Sequence, residues 1–512
     1  MPTIFVVMKK IFYTFSEHVQ KNSSTQLYLF FILSAFLILH VLYMSQARLL
    51  VEEAYYWNYS QHLDWSYLDH PPMVALLIKI FTSLLGTNEF TVRSASLFCW
   101  FVSAFFSYKL CELIQYQSGR YALLLLATLP FFFFQSIVIT PDVPLLSCWS
   151  ACLYFLYRSL ILKQARCWYG AGLCLGLGLL SKYTICLVAL AAFSYVISQA
   201  SSRFWLRRKE PYLGLLLAFI LFTPVLYWNA QHDWASFIFQ SSRRFNSTTS
   251  LNIHNLAWMV LFFITPLGVW GLGSLAKKNK VCPDLSEHRK KFLQYFTFIP
   301  LTFFALFSLN HGVNFNWSGP LFLALLPWLA VLIQNNAYKK CLWFAMSLFL
   351  LIVYSGVLLV INFNKSEFIQ QKLLIKVIAW DDLIQKLYTV AADQEQKNHL
   401  PVIFVPLDNY PINSELAFYQ QQLLKKGLIS KLYPTSGAHI FNRESLMYRY
   451  WSNNENLSGA LLILLSKEPW RFDDPGVTKG LSASSELKQV WSLGQGQNLK
   501  NIPYYYKIAR IK

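Results

Sequence analysis

The stretch from Glu52 to Met73, EEAYYWNYSQHLDWSYLDHPPM, sets Glu52, Glu53, Asp64 and Asp69 among Tyr55, Tyr56, Trp57, Tyr59, Trp65 and Tyr67 and stops at Pro71 and Pro72. Trp and Tyr collect at membrane headgroup level without any chemical role, so an interfacial belt would account for the aromatics. It accounts poorly for the carboxylates, because acids close to hydrocarbon are costly and tend to mark a working site. The stretch reads as a loop held at a membrane surface, and the rest of the chain reads as the scaffold that holds it.

Composition agrees. Of 512 residues, 55% are hydrophobic and 13% charged, too apolar for an ordinary soluble protein. The formal charge of +19 would suit a nucleic-acid partner only if the bases formed a patch on a soluble surface. Many instead sit in short runs between apolar segments, which is a membrane-topology pattern and gives no reason to expect a nucleic acid. The nine cysteines, none beyond Cys341, form no CxxC pair and no Cys/His cluster of zinc spacing, and read as small apolar fillers.

Apolar runs of about 20 residues, enough to cross a bilayer, begin near Leu27, Val92, Tyr121, Val143, Trp168, Tyr183, Tyr212, Leu256, Phe292, Leu321 and Leu342. They predict a polytopic helical membrane protein of about 11 to 13 spans. Lys9, Lys10 and Lys21 precede the first run, which is long and lacks a small-residue cleavage site, so it reads as an uncleaved span. With residues 1–26 cytoplasmic, the loops holding Lys163 and Arg166, Arg203 to Lys209, Lys277 to Lys291, and Lys339 and Lys340 fall inside, and every one is basic. The first loop, 46–91, then lies outside. So do Asp142, Lys182, the segment 229–255, the segment 310–318 and everything after 362. Within the first loop, Met73 to Leu85 has the spacing of a short amphipathic helix begun by Pro71 and Pro72.

Several residues on that outer side invite a chemical reading and also a plain one. Asp142, in ITPDVPLL, serves equally as a helix cap between Pro141 and Pro144. Lys182, in GLGLLSKYT, can snorkel to the interface or grip a phosphate as a compact point charge. Arg243 and Arg244 break the positive-inside trend, and attraction to surface phospholipids or to one bound lipid phosphate would each explain them. Asn229 and His232 share that loop. In NHGVNFNWSGP, the amides of Asn314 and Asn316 beside Trp317 suit a sugar, while Trp317 alone would anchor the next helix. From 363 to 512 charges become frequent, and PVIFVP (401–406) and ALLILLS (460–466) have strand length around a helical NSELAFYQQQLLKK. This predicts a soluble, mixed α/β extracytoplasmic domain following the membrane module of 27–362.

The acidic pair followed by AYYW and then DHPPM, the TPD run and the SKYT motif resemble membrane glycosyltransferases of the GT-C fold. The likeness is to the family-39-like bacterial branch related to protein O-mannosyltransferases and the lipid A aminoarabinose transferase. The resemblance implies transfer of a sugar from a polyprenyl-phosphate donor to an acceptor outside the cytoplasm, either lipid A or lipopolysaccharide core, or a protein. It implies inversion at the sugar, a bacterial inner-membrane location and a periplasmic C-terminal domain. Glu52, Glu53 and Asp142 would be the catalytic carboxylates, with Glu52 as base. Lys182 would hold the donor phosphate, and charge alone, apart from the resemblance, adds Arg243 and Arg244 as further candidates. Tyr55, Tyr56, Asp69, His70, Asn229, His232, Asn316 and Trp317 would contact substrate. The family usually has Asp then Glu where this chain has Glu52 then Glu53, so the reach of the base differs by a methylene. The residues name no particular cofactor. An acidic cluster of this kind can hold a divalent ion, but no spacing compels a metal site. A multi-pass transporter or lipid flippase, an O-antigen-ligase-type enzyme, and an assembly protein whose outer domain does the work share the bulk features.

Overall fold

A computed structural model of the chain describes residues 22–245, 252–277, 285–312, 316–363, 380–452, 457, 459–492 and 502–511. Each apolar run expected to be a span falls in a helix. Six helices among the described residues are long and apolar enough to cross a membrane: Ser24–Gln46, Glu89–Ile114, Lys209–Gln231, Ile253–Ala276, Glu287–Ser308 and Ala337–Val360. Two further runs are broken. Gly119–Thr128 and Pro130–Ile137 meet at 70°, and Tyr183–Ser198 and Ala200–Arg207 at 111°. The first break has a local cause: Pro130 opens the second helix, and the residue before a proline is pushed out of helical conformation, as Leu129 is at φ −62°, ψ 133°. Shorter apolar helices occupy Met73–Leu85, Cys167–Leu179 and Gly319–Gln334, and Asp142–Leu160 is a largely buried helix of 19 residues.

The described residues group into two compact units, those within 1–44, 70–74 and 93–358 in one, and those within 45–69, 75–92 and 359–512 in the other. In the first, lipid-soluble helices gain little from burying apolar surface against each other, so close backbone approach and interhelical hydrogen bonds do the joining. Helices Cys167–Leu179 and Lys209–Gln231 meet backbone to backbone at Gly172 and Gly214; a Cβ at Gly172 would lie 2.1 Å from the Gly214 carbonyl oxygen. The Trp328 indole N–H donates to Gly271 O (3.1 Å) and Ser274 Oγ (2.9 Å), and the Tyr354 hydroxyl to Thr128 O (2.8 Å). The eight described cysteines are all unpaired, and Cys282 lies outside the described residues.

One end of this unit gathers the basic loops. Arg289 donates to Ile114 O (2.7 Å), Lys163 to Ser201 O (3.1 Å), and Lys290 to Lys277 O (2.6 Å). Asp142 starts the 19-residue helix whose other end, Leu160, leads into the basic loop at Lys163. At 1.5 Å per residue the two ends are about 28 Å apart.

In the second unit, strands β1 (Val402–Pro406) and β2 (Leu461–Ser466) run parallel, Val402 opposite Leu461. Strands β3 (Leu481–Ser484), β4 (Lys488–Ser492) and β5 (Ile502–Ile511) complete the sheet, β5 pairing antiparallel with β2, β3 and β4. β1 and β2 are buried along their whole length, which is why they read as unbroken apolar runs without alternation. The helix expected after β1 spans Pro411–Lys425. Against it packs Val51–Gln61, the helix formed by the opening stretch: Trp57 meets Phe418 edge-on at 5.0 Å, Asn58 Nδ2 donates to Ser414 O (3.2 Å), and the Leu49 N–H donates to the Tyr419 hydroxyl (3.0 Å). Arg48 joins Glu89 (3.0 Å) and Asp381 (2.6 Å). The first loop outside 70–74 thus groups with the C-terminal sheet.

Candidate active site

Asp142 occupies the first turn of its helix, immediately after Pro141, where the partial positive charge of the unpaired amides favours a carboxylate. Pro144 falls in the same turn, where its missing N–H removes no helical bond. The neighbouring antiparallel helix ends at Leu179, and the Ser181 and Lys182 amides both donate to Gly178 O, at 3.0 and 2.8 Å. This turn leaves Lys182 in extended conformation.

Lys182 Nζ donates to Asp142 Oδ1 at 2.7 Å, the two side chains being 6% and 1% exposed. Asn316 Nδ2 donates to Asp142 Oδ2. A buried ion pair is weak evidence for stability, because desolvation of the two charges offsets most of their attraction. Charges placed deep in an apolar bundle therefore point to function. Chemically, Asp142 fixes an ammonium and an amide side by side, an arrangement suited to steadying an anion.

The neighbourhood of Lys182 takes in another expected residue. Tyr183 lies 3.4 Å, hydroxyl to hydroxyl, from Ser236, whose backbone N–H donates to Asn229 Oδ1 (3.2 Å). Asn229 Oδ1 also accepts from the Phe237 amide, while its Nδ2 donates to Val225 O at 2.9 Å, so this buried amide braces the turn after its helix. His232 stacks on Trp228 with ring centroids 4.0 Å apart and its Nδ1 2.8 Å from Trp228 O. Trp317 is half-buried, 6.0 Å from Phe307. His70 is half-buried in the same unit. The side chains of Arg243 and Arg244 lie outside the described residues, as does Asn314.

The second unit holds the acidic loop. Glu52 is exposed, whereas Glu53 is buried and its Oε2 accepts the Leu50 N–H at 2.9 Å, closing the start of the Val51–Gln61 helix. One turn on, the Tyr55 hydroxyl donates to Asp69 Oδ1 (3.1 Å), and the Tyr59 hydroxyl donates to the same oxygen. Burial, reinforced by the Asp69 charge, pushes both phenols well above their ordinary range, so they remain protonated donors. Tyr56 packs on both, at 5.7 and 5.5 Å. Around them stand Tyr410, Tyr448 and Trp451, at 4.7, 6.3 and 6.3 Å from Tyr55. Nothing in the sequence announced these three, because their partners lie hundreds of residues away. Among the described residues no three His, Cys, Asp or Glu side chains converge on a common point.

Residues 69–228 match a family described as dolichyl-phosphate-mannose-protein mannosyltransferase, a range that takes in Asp69, His70, Asp142 and Lys182. The lipid A galacturonosyltransferase RgtD of Rhizobium johnstonii is 28% identical over 198 residues, 36% of this chain. The match spans 39% of that relative's length. The crystal structure of ArnT from Cupriavidus metallidurans in the apo state superposes with a TM-score of 0.61 over 95% of this chain and 98% of that one, at 11% identity. The same protein bound to undecaprenyl phosphate gives 0.61 over 93% and 97%, again at 11%. The chain has the GT-C fold. The expected architecture of a helical membrane module with a mixed α/β C-terminal portion is met. Within the GT-C fold of this chain, Asp142, Lys182 and Asn316 form one cluster and Tyr55, Tyr56 and Asp69 another.

Proposed function

We propose that this protein is a glycosyltransferase of the bacterial inner membrane that moves a sugar from a polyprenyl-phosphate carrier to lipid A or the lipopolysaccharide core. The observation that carries the reading is the buried Lys182–Asp142 pair, joined by the half-buried Asn316, in a chain of this fold. An ammonium held by a carboxylate is a preorganised partner for a phosphate that gains charge as the sugar leaves. The named activity of RgtD and the carrier lipid bound to ArnT support the acceptor and the donor class.

In the proposed reaction the acceptor hydroxyl oxygen attacks the anomeric carbon from the face opposite the phosphate. The bond from that carbon to the phosphate oxygen breaks, polyprenyl phosphate departs with the electron pair, and the hydroxyl proton passes to Glu52. The leaving group is already anionic and needs no acid. Lys182 steadies it, Asp142 positions Lys182, and Glu53 fixes the helix that carries Glu52. A single displacement inverts the anomeric configuration. The basic loops are cytoplasmic in this reading, and the C-terminal sheet is periplasmic.

The test is transfer of label from undecaprenyl-phosphate-linked sugars, galacturonic acid and aminoarabinose among them, to lipid A by the purified full chain in vesicles. Transfer is expected from one donor, with product of inverted configuration, and is expected to vanish in Lys182→Ala and Glu52→Gln. Transfer unaffected by both substitutions, or label that crosses the vesicle without forming a new glycosidic bond, would overturn the proposal.

A further inference from the structure

The end of the first unit remote from Asp142 carries a feature that sugar transfer does not use. A cavity of about 190 Å³ lies between four helices and the 3-10 helix Ala200–Arg207, walled by Leu156, Trp168, Ala192, Trp205, Tyr212 and Leu215 among others. An apolar space of this size stays dry and takes an apolar guest. It opens sideways: Tyr212 and Leu215 are 54% and 53% exposed, on the surface that a membrane-spanning bundle turns toward lipid. Its depth is set where Gly172 and Gly214 let two helices touch.

The segments that flank the lining residues Trp168, Leu206 and Pro211 are cationic, and they form the rim. The 3-10 helix leaves the preceding helix at 111°, burying Ser202 and Trp205 and exposing Arg203 and Arg207, as a helix lying in an interface does. Lys163 ties the adjacent loop to it through Ser201 O, and Trp168 meets Trp205 at 5.5 Å. Arg166, Arg207 and Lys209 are exposed, and Arg166 and Arg207 have no side-chain partner among the described residues. Between Asp142 and Glu210 the sequence has no acid. The indole N–H groups of Trp168 and Trp205, both buried, also lack an acceptor among the described residues.

We infer that this end holds one anionic glycerophospholipid, with an acyl chain in the cavity, ester carbonyls beside the two indoles and the phosphate over Arg166, Arg207 and Lys209. An apolar slot, two buried indole donors on its wall residues and exposed cations in the flanking segments supply a partner for each part of such a lipid. Electrostatic attraction to bulk lipid explains the rim alone. The inference stands whether or not the chain transfers a sugar.

Native mass spectrometry of the delipidated full-length protein titrated with phosphatidylglycerol or phosphatidylcholine tests it. A single phosphatidylglycerol adduct is expected to survive, favoured over phosphatidylcholine. Arg166→Ala and Arg207→Ala should each weaken it about fivefold, since a base near an anionic headgroup contributes about that factor. Ala192→Trp, which fills the slot and leaves every base in place, should abolish it. Equal retention of the two lipids, or an adduct insensitive to both arginine substitutions, would overturn the inference. The arginine variants alter exposed side chains and remain decisive even if Ala192→Trp does not fold.

Discussion

The two ends of the helical unit handle charge in opposite ways. At the Asp142 end a carboxylate and an ammonium are almost wholly buried, tied to each other at 2.7 Å and to an amide. At the other end arginines and lysines stand exposed, most of them with no acid to meet. Exposed cations at a helix end cost little and set topology, whereas a buried pair must offset its own desolvation and is a poor source of stability. The number of charges at an end thus says less about chemistry than the solvent each has given up.

The sharpest way to break this contrast is Lys182→Ala, which leaves Asp142 buried without its cation. Removing one partner of a buried pair costs about 3–5 kcal/mol, so thermal unfolding of the full chain should fall strongly and transfer should stop. Asp142→Asn combined with Lys182→Met should recover most of the stability and none of the transfer. Recovery of both would make the pair a mere pin. Gly172→Leu comes next, because its Cβ would intrude on Gly214 O at 2.1 Å. Overpacking of this kind costs about 1–3 kcal/mol, and the same unfolding measurement reads it.

Asp408 in the second unit extends the contrast to a carboxyl without a salt bridge. Its Oδ2 accepts the Ile412 N–H (2.9 Å), its Oδ1 is buried without a partner among the described residues, and Arg471, Glu468, Tyr448 and Tyr504 lie around it. Burial pushes the carboxyl up to about 7. The folded state then holds the proton where the unfolded state releases it. Its contribution to stability is present below the ordinary carboxylate range and declines as pH rises toward about 7. Asp408→Asn should flatten that decline in unfolding temperature between about pH 4 and pH 7; an unchanged slope would assign it to another group. The smallest effect belongs to Arg166→Ala and Arg207→Ala, expected within about 0.5 kcal/mol of the parent in the same assay.

Much of this was legible in the chain itself. Apolar length located the long helices of the membrane module, but not the short Ala235–Phe245 and Ala200–Arg207. Among the described residues six helices, or eight with the two bent pairs, are long and apolar enough to span, against the 11 to 13 expected. Turn residues and strand-length runs located β1, β2 and the helix Pro411–Lys425, and Met73–Leu85 follows its amphipathic spacing. Asp142, Lys182 and Asn316 could each be singled out, because a polar residue in apolar surroundings is visible locally. Their convergence could not, since Asp142 and Asn316 are 174 positions apart and no periodicity encodes that distance. The same limit hid Tyr410, Tyr448 and Trp451. Glu52 and Glu53 look alike in sequence, yet one faces solvent and the other closes its own helix, a difference fixed by helical phase and by packing against Pro411–Lys425.

That packing makes the acidic loop a lodger of the C-terminal domain. A chain cut near residue 363 would lose more than an appendage: the Val51–Gln61 helix would shed the partner of Trp57 and Asn58, and Arg48 would lose Asp381. Anyone exchanging the terminal domain would have to carry residues 45–69 and 75–92 along with it, treating distant pieces of gene as one transplantable part.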